Sequence, residues 1–257
     1  MRNLNSLITV LALSFSTIGA VGCAADSGDD TSDTQDDATS AGKFDIWQAT
    51  DGQWHFHLKS GNGGILLTSE AYSSRTAAIT GVLATTGNGI DDNQYQVLPA
   101  THGYLLHLVA GNNEVISFSQ VYSTKSSATR AITSCVHAVT TYLDKREAMT
   151  SGARVEVAQG ATGQYHFNFD AANGQTVLSS ESYTTEAAAF NGAMAVQTDG
   201  QNAANYAVLQ NAAGGFYFTV TALNGQVIGT SQQYTTKSSA QAAVKSVIAL
   251  LPSISVL

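Results

Sequence analysis

The chain has 257 residues, of which 44% are hydrophobic and 12% charged, and its formal net charge is −8 at pH 7. This length is enough for one or two domains that each bury a hydrophobic core. From residue 43 onward there are ten basic and thirteen acidic residues without a basic patch, which argues against nucleic acid as a partner.

The amino terminus predicts an export signal. Arg2 precedes an apolar run from Leu7 to Ile18, which is too short to span a membrane as a helix. Small residues then lead to Cys23 in a pattern similar to the bacterial lipobox, in which the cysteine is lipidated. We therefore expect residues 1–22 to be a signal peptide and Cys23 to carry the membrane anchor. The alternative is an ordinary secretory signal with an accidental cysteine.

Residues 23–42 predict a lipidated, disordered tether. They hold six aspartates and no basic residue among mainly Ser, Thr, Ala and Gly, a composition that cannot bury enough apolar surface to fold. Calcium capture by these aspartates is the alternative, although the ligand spacing of an EF-hand is absent. Ala24 after the lipidated cysteine favours the outer over the inner membrane. We expect an exported, lipid-anchored protein of the bacterial cell envelope.

A motif then occurs four times, which is the strongest signal in the sequence. Each copy begins with Asn-Gly or Asn-Asn and ends with Ser-Glu-x-Tyr or Ser-Gln-x-Tyr. The distance from the asparagine to the tyrosine is the same in all four copies. Such regularity indicates one supersecondary unit used four times. Odd copies carry Glu and even copies Gln, which indicates that a two-repeat module was duplicated. The motif residues are Asn62, Gly63, Ser69, Glu70 and Tyr72; Asn112, Ser119, Gln120 and Tyr122; Asn173, Gly174, Ser180, Glu181 and Tyr183; and Asn224, Gly225, Ser231, Gln232 and Tyr234.

The first copy predicts three strands followed by a helix. Strands are expected over 44–49, 53–59 and 65–69, with a turn at Asp51-Gly52. Asn62-Gly63 predicts a tight hairpin in which both turn positions take positive φ. The helix follows Tyr72, with Ser73 or Ser74 as its N-cap.

Alternation in the second strand predicts one buried and one open face. Phe56 and its apolar neighbours should face the helices, whose small and apolar residues recur at the spacing of a core-facing stripe. Cys135 lies on such a stripe, so we interpret it as a small buried hydrophobe, with a catalytic or metal role as the alternative. The opposite strand face is the candidate binding surface, formed by His55, His57 and Lys59.

The predicted fold class is α+β, with four ββ(β)α repeats paired into two modules of antiparallel sheet whose helices pack on one face. The modules should span residues 44–139 and 154–251. A polar linker is expected over 140–153 and a short tail over 252–257.

These features resemble the YegP-like domain, a family of unknown function. Gln-Tyr-His-Phe-Asn-Phe-Asp-Ala-Ala-Asn-Gly-Gln at 164–175 and Ser-Glu-Ser-Tyr-Thr-Thr at 180–185 carry the resemblance most clearly. It covers nearly all of both modules and implies β3-α-β units that are paired into one sheet with exchanged terminal strands. It implies no catalytic residue. The second copy departs from the pattern, because Asn113 stands where the others have glycine.

Several residues carry alternative chemical interpretations. His55 and His57, with His107 and His166 at corresponding positions, could bind zinc or copper, but a solvated strand face is preferred. Glu70 and Glu181 could act as general acids or bases, but glutamine at the same place in even copies favours structural hydrogen bonding. The four motif tyrosines should pack on their helices, with ligand stacking as the alternative. The stretch 87–93 is interpreted as a turn rather than a calcium loop.

No catalytic motif occurs, so neither an enzyme nor a cofactor is expected. Three hypotheses for function remain. The preferred one is a membrane-tethered binding module with an envelope protein or glycan as partner. The others are a purely structural or stress-related envelope lipoprotein, and an enzyme with an unrecognised site.

Overall fold

The computed structural model describes residues 41–149 and 151–257. The predicted signal peptide, Cys23 and most of the predicted tether therefore lie outside the described residues. The described chain alternates strands and helices in four repeats. The strands and helices are β1 (Lys43–Gln48), β2 (Trp54–Lys59), β3 (Ile65–Ser69), α1 (Arg75–Asn88), β4 (Tyr95–Ala100), β5 (Gly103–Val109), β6 (Val115–Phe118), α2 (Lys125–Ala148), β7 (Arg154–Gln159), β8 (Tyr165–Asp170), β9 (Thr176–Ser179), α3 (Glu186–Asp199), β10 (Tyr206–Gln210), β11 (Phe216–Thr221), β12 (Val227–Thr230) and α4 (Lys237–Leu250).

Two six-stranded antiparallel sheets confirm the predicted α+β class with two repeated modules. The first sheet has the order β1-β2-β3-β6-β5-β4, and the second has β10-β11-β12-β9-β8-β7. In each module the third strands of the two repeats pair at the centre, through Thr68 with Phe118 and through Ser179 with Thr230. Two repeats thus share one sheet, which is why neither repeat needs to form a core alone.

The resemblance implies units that end in a strand after the helix, and the strand after α1 is β4, which pairs with β5 of the second repeat, whereas β1 stays in its own repeat. β1 pairs along its whole length with β2 of its own repeat, from Lys43 with Lys59 to Gln48 with Trp54. The turn between them is tight, because Gly52 adopts a φ of 83° and its amide donates to the Ala49 carbonyl at 3.0 Å. A hairpin that closes over so few residues leaves no connection long enough to reach another repeat.

The hairpins differ from the prediction in one respect. Of the two residues in each Asn-Gly or Asn-Asn pair, only the second has a positive φ, which is 90° at Gly63. The prediction that both residues of the pair have positive φ is therefore wrong. The loop is a three-residue turn in which the Ser60 carbonyl accepts from the Gly63 amide at 2.9 Å, and such a turn requires only one left-handed residue. Asn113 adopts the same conformation, with a φ of 66°. Asparagine tolerates this region better than other non-glycine residues.

The inner faces of both sheets and the helices form the core. Phe56 and Leu58 are fully buried on β2, as are Phe167 and Phe169 on β8. Each helix begins with a capping hydroxyl that accepts from the amide three residues later, and for α1 this residue is Ser74. The other caps are Thr124, Thr185 and Thr236.

The predicted linker over 140–153 is helical for most of its length, since α2 runs to Ala148. The apolar stripe simply continues through Cys135, Ala138, Val139 and Tyr142, all of them buried, and this spacing prolongs a helix whatever charges lie on its other side. The nine residues from Thr140 to Ala148 therefore belong to the first module.

The predicted carboxy-terminal tail is also part of a core. Ile254 and Val256 are 2% and 4% exposed and belong to the hydrophobic core of the second module. The Ile254 carbonyl accepts a short hydrogen bond from the Gln197 side chain of α3. These contacts fix residues 251–257 on α3 instead of leaving them in solvent.

The two modules pack together through α1 and α3. Ile79 of α1 is fully buried and lies within the hydrophobic cluster of the second module. The Arg75 guanidinium donates to the Asn191 side-chain oxygen at 2.6 Å and to its carbonyl at 3.3 Å. The guanidinium of Arg146 on α2 lies 4.8 Å from the ring centre of Phe190 on α3. This interface therefore combines apolar burial with directed polar contacts.

Candidate functional site

Most of the repeated motif holds the fold together. Asn62 accepts a hydrogen bond from the Gly64 amide at 3.1 Å through its side-chain oxygen, which is the local turn that this residue type favours. Asn112, Asn173 and Asn224 accept equivalent bonds at 3.1 Å from the amides two residues further on. The motif asparagine is thus a turn residue in all four hairpins.

The motif serine bonds two strands at the corner. The Ser69 hydroxyl accepts from the Phe56 amide at 2.8 Å and donates to the Glu70 carbonyl at 2.7 Å. Ser119, Ser180 and Ser231 make the same pair of bonds. The hydrogen bonding expected of Glu70 and its counterparts is therefore made by the serine, while the side chains of Glu70, Gln120, Glu181 and Gln232 are exposed.

The motif tyrosine binds the second strand of its own repeat. Tyr72 exchanges two backbone hydrogen bonds of 2.8 Å with Trp54, and its ring stacks on Phe56 with centres 6.2 Å apart. Burial raises the pKa of the Tyr72 hydroxyl, with a smaller contribution from the charge of Glu70. Tyr183 and Tyr234 stack in the same way on Phe167 and Phe218. These contacts give the tyrosines a structural role.

The outer face of the first sheet remains as the candidate site. One row of paired residues crosses it from edge to edge, formed by Asp45, His57, Thr68, Phe118, His107 and Gln96. The side chains of His55 and His57 lie on this face and are half-buried, so the predicted solvated face is only partly open to solvent at these two residues. Lys59 also lies on this face and pairs with Asp45. The structure thus brings the three predicted residues together.

Trp47 is the reason for this burial, and the sequence analysis missed it. Its ring centre lies 5.5 Å from that of His55 and 4.1 Å from that of His57. Desolvation lowers the pKa of His57, and the charges of Lys59 and His55 act in the same direction against that of Asp45. His57 is therefore mainly uncharged near pH 7. The pairing of Trp47 with His55 would have revealed the cluster, had β1 been aligned on β2.

Phe118 was also missed. It lies at the sheet centre between His107 and Thr68, and 37% of its surface is exposed. Burial lowers the pKa of His107, partly opposed by Glu70. We define the aromatic-histidine face as Trp47, His55, His57, His107 and Phe118.

The second sheet provides an internal comparison. Its equivalent row is Glu156, Asn168, Ser179, Thr230, Thr219 and Ala207. Ala158 stands in the place of Trp47, Asn168 in that of His57, and Thr230 in that of Phe118. The same sheet therefore forms with only His166, in the place of His55, from this set of side chains, so folding does not require Trp47, His57 or Phe118.

Three further features of the described residues concern metal binding, Cys135 and membrane spans. No group of three or more His, Cys, Asp or Glu able to hold a metal ion occurs within residues 41–149 and 151–257. Cys135 is buried on α2 as the stripe predicted. None of the described helices is long and apolar enough to cross a membrane.

Two cavities lie where the modules meet. The larger, about 610 Å³, is lined by parts of β1, the end of α2, β7 and residues 255–257. The smaller, about 540 Å³, reaches Trp47 and His57 and is completed by Met194, Gln197 and the same carboxy-terminal residues. The aromatic-histidine face therefore continues into a recess at the module boundary.

The profile of one protein family matches all four repeats, at residues 49–95, 103–141, 161–206 and 211–255. That family is described as a domain of unknown function, DUF1508. The chain belongs to the DUF1508 family. The match covers more than half of the chain and confirms the resemblance to the YegP-like domain.

Relatives of these DUF1508 repeats are about as long as one module. The UPF0339 protein YegP of Yersinia pestis is 39% identical over 93 residues, which are 36% of this chain and 83% of the relative. The UPF0339 protein PA0329 of Pseudomonas aeruginosa is 38% identical over 95 residues, or 37% and 86% of the two chains. The solution NMR structure of yegP from E. coli, a protein of unknown function, is 35% identical and covers 39% of this chain and 88% of its own, with a TM-score of 0.37.

Proposed function

We propose that this protein is a membrane-tethered binding module of the bacterial cell envelope, whose working surface is the aromatic-histidine face. The observation that carries the proposal is the contrast between the two sheets. Both have the same strand order and register, yet only the first carries Trp47, His57 and Phe118 in place of Ala158, Asn168 and Thr230. Large aromatic side chains that folding does not require are typical of interaction surfaces.

The chemistry of the face suits an uncharged or weakly charged partner. His57 is mainly uncharged near pH 7, and the charge of Lys59 is balanced by Asp45. Aromatic and imidazole rings can stack on sugar rings or on the side chains of a protein, and their polar edges supply hydrogen bonds. An envelope glycan or protein would meet these requirements.

The face can be tested by giving it the residues of the second module. The triple variant Trp47→Ala, His57→Asn and Phe118→Thr should fold, because the second sheet forms with these residues. Tagged parent and variant chains are used to capture partners from envelope extract, and bound protein and glycan are identified by mass spectrometry. We expect the partners of the parent to be lost with this variant.

The matched control alters the other sheet. Asn168→Ala with Thr230→Ala changes equivalent positions of the second module and should retain every partner. If the first variant keeps its circular dichroism spectrum and captures the same partners as the parent, the aromatic-histidine face is not the binding surface. The hypothesis of a purely structural envelope lipoprotein would then be favoured.

The tether is tested separately through Cys23. The lipobox-like residues before it are the support for the anchor, and the predicted tether over 23–42 would let the folded part reach partners at a distance. Cys23→Ser should move the protein from the membrane to the soluble fraction and change its migration on a gel. A variant that stays with the membrane and also migrates on a gel as the parent does would exclude lipidation at Cys23.

A further inference from the structure

We propose a second binding site in the 610 Å³ cavity between the modules, which takes an amphipathic anion, that is, a carboxylate or phosphate group attached to an apolar portion. This site adjoins the recess beside Trp47 and His57, but none of the five residues that define the aromatic-histidine face lines it. Its walls come from the edge strands β1 and β7, the last turns of α2 and residues 255–257. A cavity of this volume is within the range that holds small ligands.

Basic residues concentrate around this cavity. Lys43, Lys145, Arg146 and Arg154 line it, and they are four of the ten lysines and arginines that follow residue 41. They come from three different elements, so the fold gathers charges that are distant along the chain. In a recess of reduced solvent exposure, such convergence attracts anions more strongly than on an open surface.

The two acidic side chains of the wall have cationic partners of their own. Asp45 pairs with Lys59 of the neighbouring strand. Glu156 lies 3.9 Å from Arg154, which also pairs with Asp170 at 2.7 Å. Arg154 is therefore shared between two carboxylates, and these five groups keep one net negative charge, which the three other cations of the wall outweigh.

Three cations remain for a ligand. Lys43 and Lys145 have exposed side chains, and neither forms an ion pair with another described residue. Arg146 is held from behind, because its guanidinium donates to the Tyr142 hydroxyl at 2.9 Å and lies over the Phe190 ring. A guanidinium fixed in this way loses little entropy on binding a carboxylate or phosphate.

About half of the wall is apolar, and this half is the reason for an amphipathic ligand. Hydrophobic side chains share the cavity with the cations and offer contact area for a short alkyl or aromatic group. They are Phe44, Tyr142, Met149, Val155, Val157, Val256 and Leu257. An inorganic anion would leave this apolar surface in contact with water, whereas an amphiphile would cover it.

The test is isothermal titration calorimetry on the full-length chain with Cys23→Ser, so that no attached acyl chain competes for the cavity. The probes are octyl phosphate and octanoate below their micellar concentrations, inorganic phosphate, and octanol. We expect the two amphipathic anions to bind more tightly than phosphate or octanol, and to bind less tightly at high salt.

Lys43→Gln with Lys145→Gln should weaken binding of octyl phosphate at least about tenfold, because two charge-assisted contacts are removed. Both side chains are exposed, so this variant should fold, which circular dichroism will check. The matched control is Lys125→Gln with Lys237→Gln, two exposed lysines that begin α2 and α4, and it should bind as the parent does.

Three outcomes would overturn the proposal. The first is no binding of either amphipathic anion by the parent. The second is octanol or inorganic phosphate binding as tightly as octyl phosphate, which would show that one half of the proposed chemistry is not used. The third is equal weakening in both lysine variants, which would show a general charge effect rather than this cavity.

Discussion

The ring of Tyr72 fills the space that Gly81 leaves open on α1. A Cβ atom on Gly81 would overlap the Tyr72 hydroxyl and would lie 2.8 Å from a ring carbon of Phe56. The same relationship joins Tyr183 and Gly192 in the third repeat. The odd-numbered helices thus approach their strands more closely than a side chain at this position would allow.

Gly81→Ala should therefore destabilise the protein. Alanine favours a helix over glycine by about 1 kcal/mol, but overpacking against the two rings should cost about 1–3 kcal/mol, so the net change should lower the free energy of unfolding. Urea unfolding measures it. Gly87→Ala is the control in the same helix, since nothing lies within 4 Å of a Cβ there, and it should stabilise. Equal stabilisation by both changes would contradict the close approach.

Ser69→Ala tests the corner hydrogen bonds. The change leaves the buried amide of Phe56 without its acceptor and the Glu70 carbonyl without its donor, which should cost about 1–3 kcal/mol. Thermal or urea unfolding is the measurement. Ser126→Ala on the exposed side of α2 should change stability by less than about 0.5 kcal/mol. A loss no larger than that of the control would show that the serine does not hold the corner.

Asn113 tests the hairpin of the second repeat. Because its φ is 66°, Asn113→Ala should cost about 1–2 kcal/mol, the penalty for an ordinary residue in the left-handed region. Asn113→Gly should be neutral or stabilising, as the other three hairpins have glycine there. Both are compared with the parent by urea unfolding. If alanine were tolerated as well as glycine, the left-handed conformation would be wrong.

The repeat architecture and the sheet faces could be predicted because their signals are local. A fixed motif spacing shows the number of units, and alternation along β2 shows that Phe56 faces inward. The outer-face cluster could not be predicted from the second strand alone, because Trp47 comes from β1 and meets His57 only through the pairing of the two strands. The full extent of α2 was not predicted, because the charged residues 144–147 are typical of a polar linker, whereas the buried Tyr142 shows that the helix continues.

The contacts between the two modules could not be predicted from the sequence either. Ile79 lies next to Ala78 and outside the core-facing stripe predicted for α1, and nothing in the sequence shows that it lies in the hydrophobic cluster of the second module. Arg146 looked like part of an exposed linker, whereas its guanidinium packs on Phe190. Such long-range partners depend on how two complete modules dock, which local patterns do not encode.

Ile79→Ala measures this docking. The side chain is fully buried between the modules, so its truncation should lower the free energy of unfolding by about 2–5 kcal/mol. Thr80→Ala, at an exposed neighbouring position, should change it by less than about 0.5 kcal/mol. Urea unfolding followed by circular dichroism compares the two. A cost for Ile79→Ala as small as that of the control would show that the modules do not bury this residue against each other.

The lowered pKa of His57 predicts how stability depends on pH. Burial beside Trp47, with the charges of Lys59 and His55, depresses the pKa of the folded state below the ordinary value of 6.5. In the interval between the two pKa values the unfolded chain binds more protons. The stabilising contribution is therefore complete above pH 6.5 and is lost as the pH falls through the folded-state pKa. His107, whose pKa is also lowered by burial, acts in the same direction.

His57→Asn, which introduces the residue found at the equivalent position of the second sheet, should reduce the fall in unfolding free energy between about pH 7.5 and about pH 5. Urea unfolding at both pH values gives this difference for parent and variant. His102→Asn, at an exposed turn, serves as the control and should leave the difference unchanged. A fall that is the same in the His57 variant as in the parent would mean that His57 keeps an ordinary pKa and does not lie desolvated under Trp47.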